Sequence, residues 1–212
     1  MGSEDYFRTR FAFDSRRRVL WAALYRHYFA RYIRPEFTVL ELGAGYGYFI
    51  NNVNATRRIA VDLWAGMTEF LDQGVEAHIR PIQDLGFLED RSVDFTFASN
   101  VFEHLSKDDL TVALNALRAK LKIGGTLTIV GPNYRFCYDE YFDDYTHVSV
   151  FSDRSLADFV EAHGFKVVHA VPRFMPLTIK SRLPVSETLI RLYLMSPIKP
   201  FGKQMLLQAV NP

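Results

Sequence analysis

The stretch Thr38-Val39-Leu40-Glu41-Leu42-Gly43-Ala44-Gly45-Tyr46-Gly47-Tyr48-Phe49 reads as a buried strand delivering a loop, because an apolar run ends at an acid and then meets three glycines at alternate positions. Glycines so placed let the backbone turn sharply and come close to a ligand. Twenty-one residues after Glu41, the short apolar run Ile59-Ala60-Val61 ends in Asp62. A carboxylate at the tip of a neighbouring strand can accept hydrogen bonds from both hydroxyls of a ribose. The two features together describe a nucleoside site.

The glycine spacing selects among nucleosides. Dinucleotide folds use G-x-G-x-x-G and set a pyrophosphate on a helix N-terminus. Here Gly43, Gly45 and Gly47 follow G-x-G-x-G, with Glu41 two residues before the first glycine. An acid there repels a pyrophosphate and suits a ligand that carries an ammonium and a sulfonium. On these residues the chain resembles the class I S-adenosylmethionine-dependent methyltransferases, whose first motif reads E/D-x-G-x-G-x-G. The likeness extends from about residue 35 to about residue 170. It implies S-adenosylmethionine as cofactor and a Rossmann-like α/β fold: a seven-stranded, mostly parallel sheet with helices on both faces and an antiparallel last strand.

Periodicity agrees with that class. From Thr38 onward short apolar strands alternate with helical segments, the pattern of a parallel sheet covered on both faces. Strands are expected near 38–42, 58–61, 76–80, 93–98 and 126–130, then over Phe165 to Val171 and Met205 to Val210. Asp14 to Ile33 reads as a helix that packs beside the sheet or lids the ligand. A clearer helix runs from Ser106 to Leu121, with Ser106 and Asp109 as a capping box and Gly124-Gly125 as its stop. A third runs from Asp153 to His163. The chain reads as one domain of 212 residues. Within it, 1–34 is an N-terminal helical segment, 134–151 an acceptor-binding insertion and 172–203 a helical insertion before the last strand.

In an open parallel sheet, ligands bind beyond the carboxyl ends of the strands. The resemblance assigns Glu41, Gly43, Ala44 and Gly45 to the methionine portion of the cofactor, Asp62 to the ribose diol and Leu63 to one adenine face. It places Gln83 and Asp84 after the third strand, with Asp84 accepting from the adenine amino group. Asn100, in Ser99-Asn100-Val101-Phe102-Glu103-His104, falls at the cofactor's amino-acid end. Glu103 and His104 are residue types that coordinate metal or move protons. No second histidine stands at metal-ligand spacing, so the pair is read as structural and no metal is expected.

Acceptor chemistry is sought in Tyr138-Asp139-Glu140-Tyr141-Phe142-Asp143-Asp144-Tyr145-Thr146-His147. The continuation from Asp144 to Ser152 is similar to the D-x-T-H-V-x-x-F-[ST] stretch of the type 11, 12 and 23 methyltransferase group. Methyl transfer from a sulfonium is an in-line displacement, which needs alignment and an accepting lone pair. A hydroxyl acceptor must also lose its proton. His147 is suited to take it near neutral pH, with Asp144 fixing the tautomer. The competing reading has His147 tie the loop to the sheet by hydrogen bonds. The four carboxylates Asp139, Glu140, Asp143 and Asp144 are read as solvated, the alternative being a divalent ion that polarises a sugar hydroxyl, and the tyrosines either stack on a sugar or aromatic ring or pack the loop.

Net charge is +1, and the lone Cys137 can form neither an internal disulfide nor a cysteine-based metal site, which fits a reducing, cytoplasmic setting. No run of eighteen apolar residues is present and no charged-then-apolar leader is evident, so neither a membrane span nor a signal peptide is expected. Residues 84–161 hold fourteen acids against seven bases, and residues 162–212 hold seven bases against Glu187. Aromatic residues do not interleave with that basic stretch, so nucleic acid is set aside. Segment 184–197 is apolar on nearly every face, which suits burial, a second copy of the chain or a membrane surface. The likeness to bacterial relatives in Asn133-Tyr134-Arg135 and the 172–183 tail implies a sugar or glycan hydroxyl in surface-polysaccharide biosynthesis. A natural-product or quinone-like phenol is the alternative acceptor, and a cofactor-binding module without turnover is the alternative to an enzyme.

Overall fold

A strand at the centre of a parallel sheet is buried on both faces and reads as a continuous apolar run. β1 (Thr38–Leu42) is such a strand, with Val39, Leu40 and Leu42 at most 1% exposed. The computed structural model describes residues 9–176 and 185–212. The strands that follow are β2 (Arg57–Asp62), β3 (Val75–Ile79), β4 (Val93–Ser99), β5 (Leu121–Pro132), β6 (Lys166–Pro176) and β7 (Gly202–Val210). They form one seven-stranded sheet in the order β3-β2-β1-β4-β5-β7-β6. β1 to β5 pair in parallel, and β7 runs antiparallel to both β5 and β6. This is the Rossmann-like sheet expected from the sequence, including the antiparallel last strand. Strand order reverses between β1 and β4, so a crevice opens at their carboxyl ends.

Five α-helical segments are described: α1 (Ser15–Leu24), α2 (Lys107–Lys120), α3 (Tyr134–Cys137), α4 (Asp153–Ala162) and α5 (Glu187–Met195). Alternate residues of the strands feed two core layers. Leu40, Leu42, Ile59 and Val61 pack with Leu110, Leu114 and Leu117 of α2 and with Leu156 and Val160 of α4. On the other face Val39, Ala60, Phe95 and Phe97 pack with Trp21, Leu24, Phe29 and Phe49. The Phe49 and Phe97 rings stack with centroids 3.9 Å apart.

Several elements differ from the reading of the sequence. The N-terminal helix is regular only over α1, where Asp14 Oδ1 accepts from the backbone N–H of Arg16 at 2.9 Å. It then widens into a π-turn over Tyr25–Phe29 and tightens into a 3-10 turn over Ala30–Tyr32. α2 ends where expected, with Leu121 as its C-cap, but it passes directly into β5, so the glycines are not its stop. Buried Asn211 closes that end, its Nδ2 donating to the carbonyls of Arg118 and Leu121 at 3.1 and 2.9 Å. Gly124 and Gly125 instead fall where β5 bulges against β4, between the pairs Val93–Leu121 and Phe95–Thr126. A cap supplied from residue 211 is a tertiary stop that local sequence does not announce.

The helical segments in the crossovers from β1 to β2 and from β2 to β3 are only 3-10 turns, Ile50–Asn52 and Ala65–Glu69. Gly43, Gly45 and Gly47 all have positive φ, +69°, +52° and +65°, which interrupts any helical run before Tyr48. α1 and the 25–32 turns cover that face in its place. In α5, Ile190 and Leu194 pack against the core layer of Phe97, while Leu189, Leu192 and Met195 remain exposed. Residues 1–8 of the predicted N-terminal segment and residues 177–184 of the predicted 172–203 insertion, including Pro184, lie outside the described residues. Among the described residues no helix is long and apolar enough to cross a membrane.

Candidate functional site

The loop after β1 continues the sheet ladder for one more turn. Gly43 and Ala44 both donate their backbone N–H to the Val61 carbonyl of β2, at 2.8 and 3.2 Å. A Cβ on Gly43 would stand 2.3 Å from Val101 Cγ2, so only glycine lets the loop pass under that side chain at this φ. Asp62, at the tip of β2, then latches the loop. Its Oδ2 accepts from Gly45 N and its Oδ1 from Trp64 N, each at 2.8 Å. Burial raises the Asp62 carboxyl above its ordinary range, against the lowering effect of these backbone donors.

Glu41 is 5% exposed, and its Oε2 accepts from Ile50 N at 2.9 Å. Burial pushes its carboxyl well above the usual range, and the charge of Asp62 adds to the effect. Two acids in a low-dielectric wall are costly alone and favour a cationic ligand.

The loop, both acids and the tip of β4 enclose a cavity of about 490 Å³. That lies within the range of small-molecule clefts, about 300–1,000 Å³. Glu41, Gly43, Ala44, Gly45, Asp62, Leu63, Gln83 and Asn100 all line it. Leu63 is 61% exposed and Ile82, also on the wall, is buried, which gives the cavity an apolar stretch beyond Asp62. Asn100 has φ +53°, its Nδ2 donates to Ser99 Oγ and its Oδ1 accepts from Gln204 Nε2 at 2.8 Å. A non-glycine residue held in the left-handed region at a strand tip marks a place where geometry outweighs comfort.

Asp84 is placed elsewhere. It is not among the lining residues, and its carboxylate pairs with Arg80 Nη1 at 3.0 Å on an exposed surface. The cavity wall after β3 is made by Pro81, Ile82 and Gln83.

The predicted acceptor chemistry is also rearranged. His147 does not line the cavity; His104 does, together with Thr146 and Tyr145. The two imidazoles are neighbours, with ring centroids 4.9 Å apart. Asp144 does not bond to His147. Its Oδ1 accepts from Thr146 N at 3.1 Å and from Thr146 Oγ1 at 2.6 Å, and its Oδ2 pairs with Arg10 at 3.3 Å. Because the Thr146 hydroxyl donates to Asp144, it must accept from His104 Nδ1, 2.9 Å away. His147 Nδ1 donates to the Tyr141 carbonyl at 2.6 Å. Both rings therefore carry their proton on Nδ1 and their lone pair on Nε2.

Burial drives the His104 imidazole down to about 4, helped by the charge of His147, and lowers His147 as well. Burial also pushes the Glu103 carboxyl up to about 8. For Asp144 burial acts upward, but the bonds from Thr146 and the charges of His147 and Arg10 bring it below the ordinary range. Of the loop tyrosines, Tyr145 reaches the cavity, whereas Tyr134 and Tyr141 pack edge to face at 5.2 Å.

Of the two placements expected for the N-terminal segment, beside the sheet or over the ligand, it takes both, and the residues that face the cavity were not singled out from the sequence. Phe11, Arg17 and Trp21 line the cavity, and Arg17 lies over the Phe11 ring at 4.2 Å. Asp14 ties this segment to the glycine loop, its N–H donating to Tyr48 Oη at 3.0 Å. Helical periodicity showed that this segment buries one side. It could not show that the Arg17 side of the turn faces a ligand.

Comparison with known proteins agrees with this fold. The sequence model of a family described as a methyltransferase domain matches residues 13–170. Among solved structures, a SAM-dependent methyltransferase from Archaeoglobus fulgidus is 22% identical, with 98% of each chain covered and a TM-score of 0.69. A putative methyltransferase solved in complex with the Haloferax volcanii Trm112 methyltransferase activator is 18% identical, covering 95% of this chain and 99% of that one, with a TM-score of 0.67. A SAM-dependent methyltransferase from Thermotoga maritima, described as a possible histamine N-methyltransferase, is 21% identical over 99% of this chain and 94% of that one, with a TM-score of 0.65. At these identities the likeness is one of fold. No curated protein matches the chain.

Proposed function

The chain belongs to the methyltransferase-domain family, and from that premise we propose that it moves the methyl group of S-adenosylmethionine onto a hydroxyl of a sugar or glycan, acting in the cytoplasm. The observation that carries the reading is the pair of acids, buried Glu41 and half-buried Asp62, on either side of the glycine loop in one cavity. When bound, the donor supplies an electrophilic methyl on a sulfonium. Asp62 takes the ribose diol with the lone pairs left after its two backbone bonds. Glu41 offers negative charge to the amino-acid end, Arg17 offers positive charge for a carboxylate, and Leu63 and Ile82 enclose the base. Asp84 is left out of this set, because Arg80 engages it outside the cavity.

The acceptor approaches past Tyr145, Thr146 and His104. A hydroxyl placed there loses its proton toward the imidazole pair, His104 on the wall and His147 one ring beyond it. Asp144 acts through Thr146, which orients His104, and so stands as a positioning residue. Exposed Leu189, Leu192 and Met195 on α5 support a contact of segment 184–197 with a second copy of the chain or with a membrane surface. The test is mass spectrometry of glycans and small metabolites from cells with and without the protein. A species heavier by one CH₂ on a sugar oxygen, lost with the gene, supports the reading; the same gain on a phenol moves the acceptor to an aromatic natural product, and no methylated species at all argues for a binding module.

A further inference from the structure

Glu103 and His104 stand at a 3-10 turn after β4, and His147 lies 43 residues further along the chain. The fold brings all three together. A carboxylate oxygen of Glu103 and one ring nitrogen from each histidine lie within 4.8 Å of one another. The geometry points to a site for a single divalent transition-metal ion, zinc being the one whose chemistry it fits best, held by Glu103, His104 and His147 beside the methyl-transfer cavity.

The donor set is one carboxylate and two imidazoles, the borderline nitrogen and oxygen ligands that bind zinc with three protein groups and leave a position open. Tetrahedral bonds of about 2.0–2.2 Å put neighbouring donor atoms about 3.3–3.6 Å apart, so an ion would draw each group inward by about 1 Å or less.

The second observation is how the rings are held. His147 Nδ1 donates to the Tyr141 carbonyl, and His104 Nδ1 donates to a Thr146 hydroxyl that is itself backed by Asp144. A metal-bound histidine has its outer nitrogen fixed in this way by a carbonyl, or by a group leading to a carboxylate, with Nε2 as the ligand.

The third observation is that the cluster is assembled by backbone. The Glu103 carbonyl accepts from Val148 N at 2.8 Å and Ser149 N at 3.1 Å, and Ser149 Oγ donates to the Leu105 carbonyl at 2.6 Å. These bonds stitch the two ligand-bearing segments together without help from any ion. Among the described residues the charged groups facing the cluster include Asp144, which adds negative charge, and Arg10, which pairs with Asp144 from the N-terminal segment.

The catalytic use of the ion rests on the methyltransferase reading, whereas its binding does not. With His104 on the cavity wall, an ion held by these three groups would lie beside the cavity and could take an acceptor oxygen as a further ligand. An acceptor hydroxyl bound there would have its pKa lowered, so that its proton leaves to water and the oxygen lone pair meets the methyl. In that form the histidines serve as ligands and no imidazole base is needed.

The test uses the untagged protein, stripped with a chelator and titrated with zinc by calorimetry, with cobalt absorption as a second probe. The expected result is one equivalent bound with a Kd of about 1 µM or tighter. His147→Gln and Glu103→Gln should each weaken it at least about tenfold, the scale at which even outer-shell changes act. His147 lies off the cofactor cavity, so retained binding of S-adenosylhomocysteine by His147→Gln certifies the fold of that variant. The proposal is overturned if the wild type binds no zinc or cobalt while it still binds S-adenosylhomocysteine. It is equally overturned if both variants bind zinc as tightly as the wild type, which would place the ion at another site such as His27 and Glu187. Loss of S-adenosylhomocysteine binding by the wild type would sink the donor reading instead, and leaves the metal result to stand by itself.

Discussion

Asp62→Asn keeps the size of the side chain and removes one acceptor oxygen. In the free protein both carboxylate oxygens are already used, Oδ2 by Gly45 N and Oδ1 by Trp64 N, each at 2.8 Å. The amide can satisfy one of these donors and turns an NH₂ toward the other, which costs about 1–3 kcal/mol of stability for a buried donor left unpaired. Toward the ligand, the diol loses one of two bonds to a charged acceptor, worth about 1.5–3 kcal/mol, or about 10- to 150-fold in Kd. Calorimetry with S-adenosylhomocysteine and with its 2′,3′-dideoxy analogue separates the two effects. The wild type should prefer the hydroxylated ligand by at least that factor, and in Asp62→Asn the preference should shrink by about 10- to 150-fold. The reasoning fails if the variant binds S-adenosylhomocysteine within twofold of wild type, or if it loses affinity for both ligands by the same factor. The latter result would mean that Asp62 only latches the loop.

Three further predictions address the loop and its neighbours. Gly43→Ala should cost about 1–2 kcal/mol for its left-handed φ and about 1–3 kcal/mol for the clash with Val101, read by urea denaturation. Combining it with Val101→Ala should recover the clash part, and strict additivity of the two changes would refute the contact. Glu41 has a carboxyl raised above its ordinary value, so the folded chain holds a proton that the unfolded chain releases from about pH 4.5 upward, and stability contributed by this group falls as pH rises through that window. Glu41→Gln, which has no such proton to lose, should therefore gain in melting temperature on the wild type as pH is raised from 5 to 8 by about several degrees while binding S-adenosylhomocysteine more weakly; a gap that does not change with pH would contradict this. Asp84→Ala should change S-adenosylhomocysteine affinity by less than about twofold, the scale of an exposed ion pair, and a tenfold loss would restore the adenine role that the sequence assigned to it.

What the sequence disclosed follows from how local each cause is. The strands were legible because buried parallel strands are continuous apolar runs, and β1, β2 and β4 needed nothing else. That Gly43, Gly45, Glu41 and Asp62 gather at one strand-tip cavity was legible because a loop with positive φ at alternate glycines leaves its mark in the residues of the loop itself. Asp84 went astray for want of information about Arg80, four residues earlier, whose guanidinium claims the carboxylate. The end of α2 near Leu121 was legible, but its stop was misattributed to Gly124-Gly125 because Asn211, ninety residues away, supplies the cap. The pairing of His104 with His147 is of the same kind. Spacing along the chain cannot show a cluster that forms only when the 146–149 segment is hydrogen-bonded onto the turn at Glu103.

The central claim is that one cavity, walled by Glu41, the glycine loop and Asp62, holds the methyl donor. Calorimetric titration of the wild-type chain with S-adenosylhomocysteine addresses it directly. Saturable binding at one site per chain, with a Kd below about 100 µM and lost when Asp62 is replaced by alanine, is the result predicted. No saturable heat up to about 1 mM ligand from a chain that is folded by circular dichroism would contradict it.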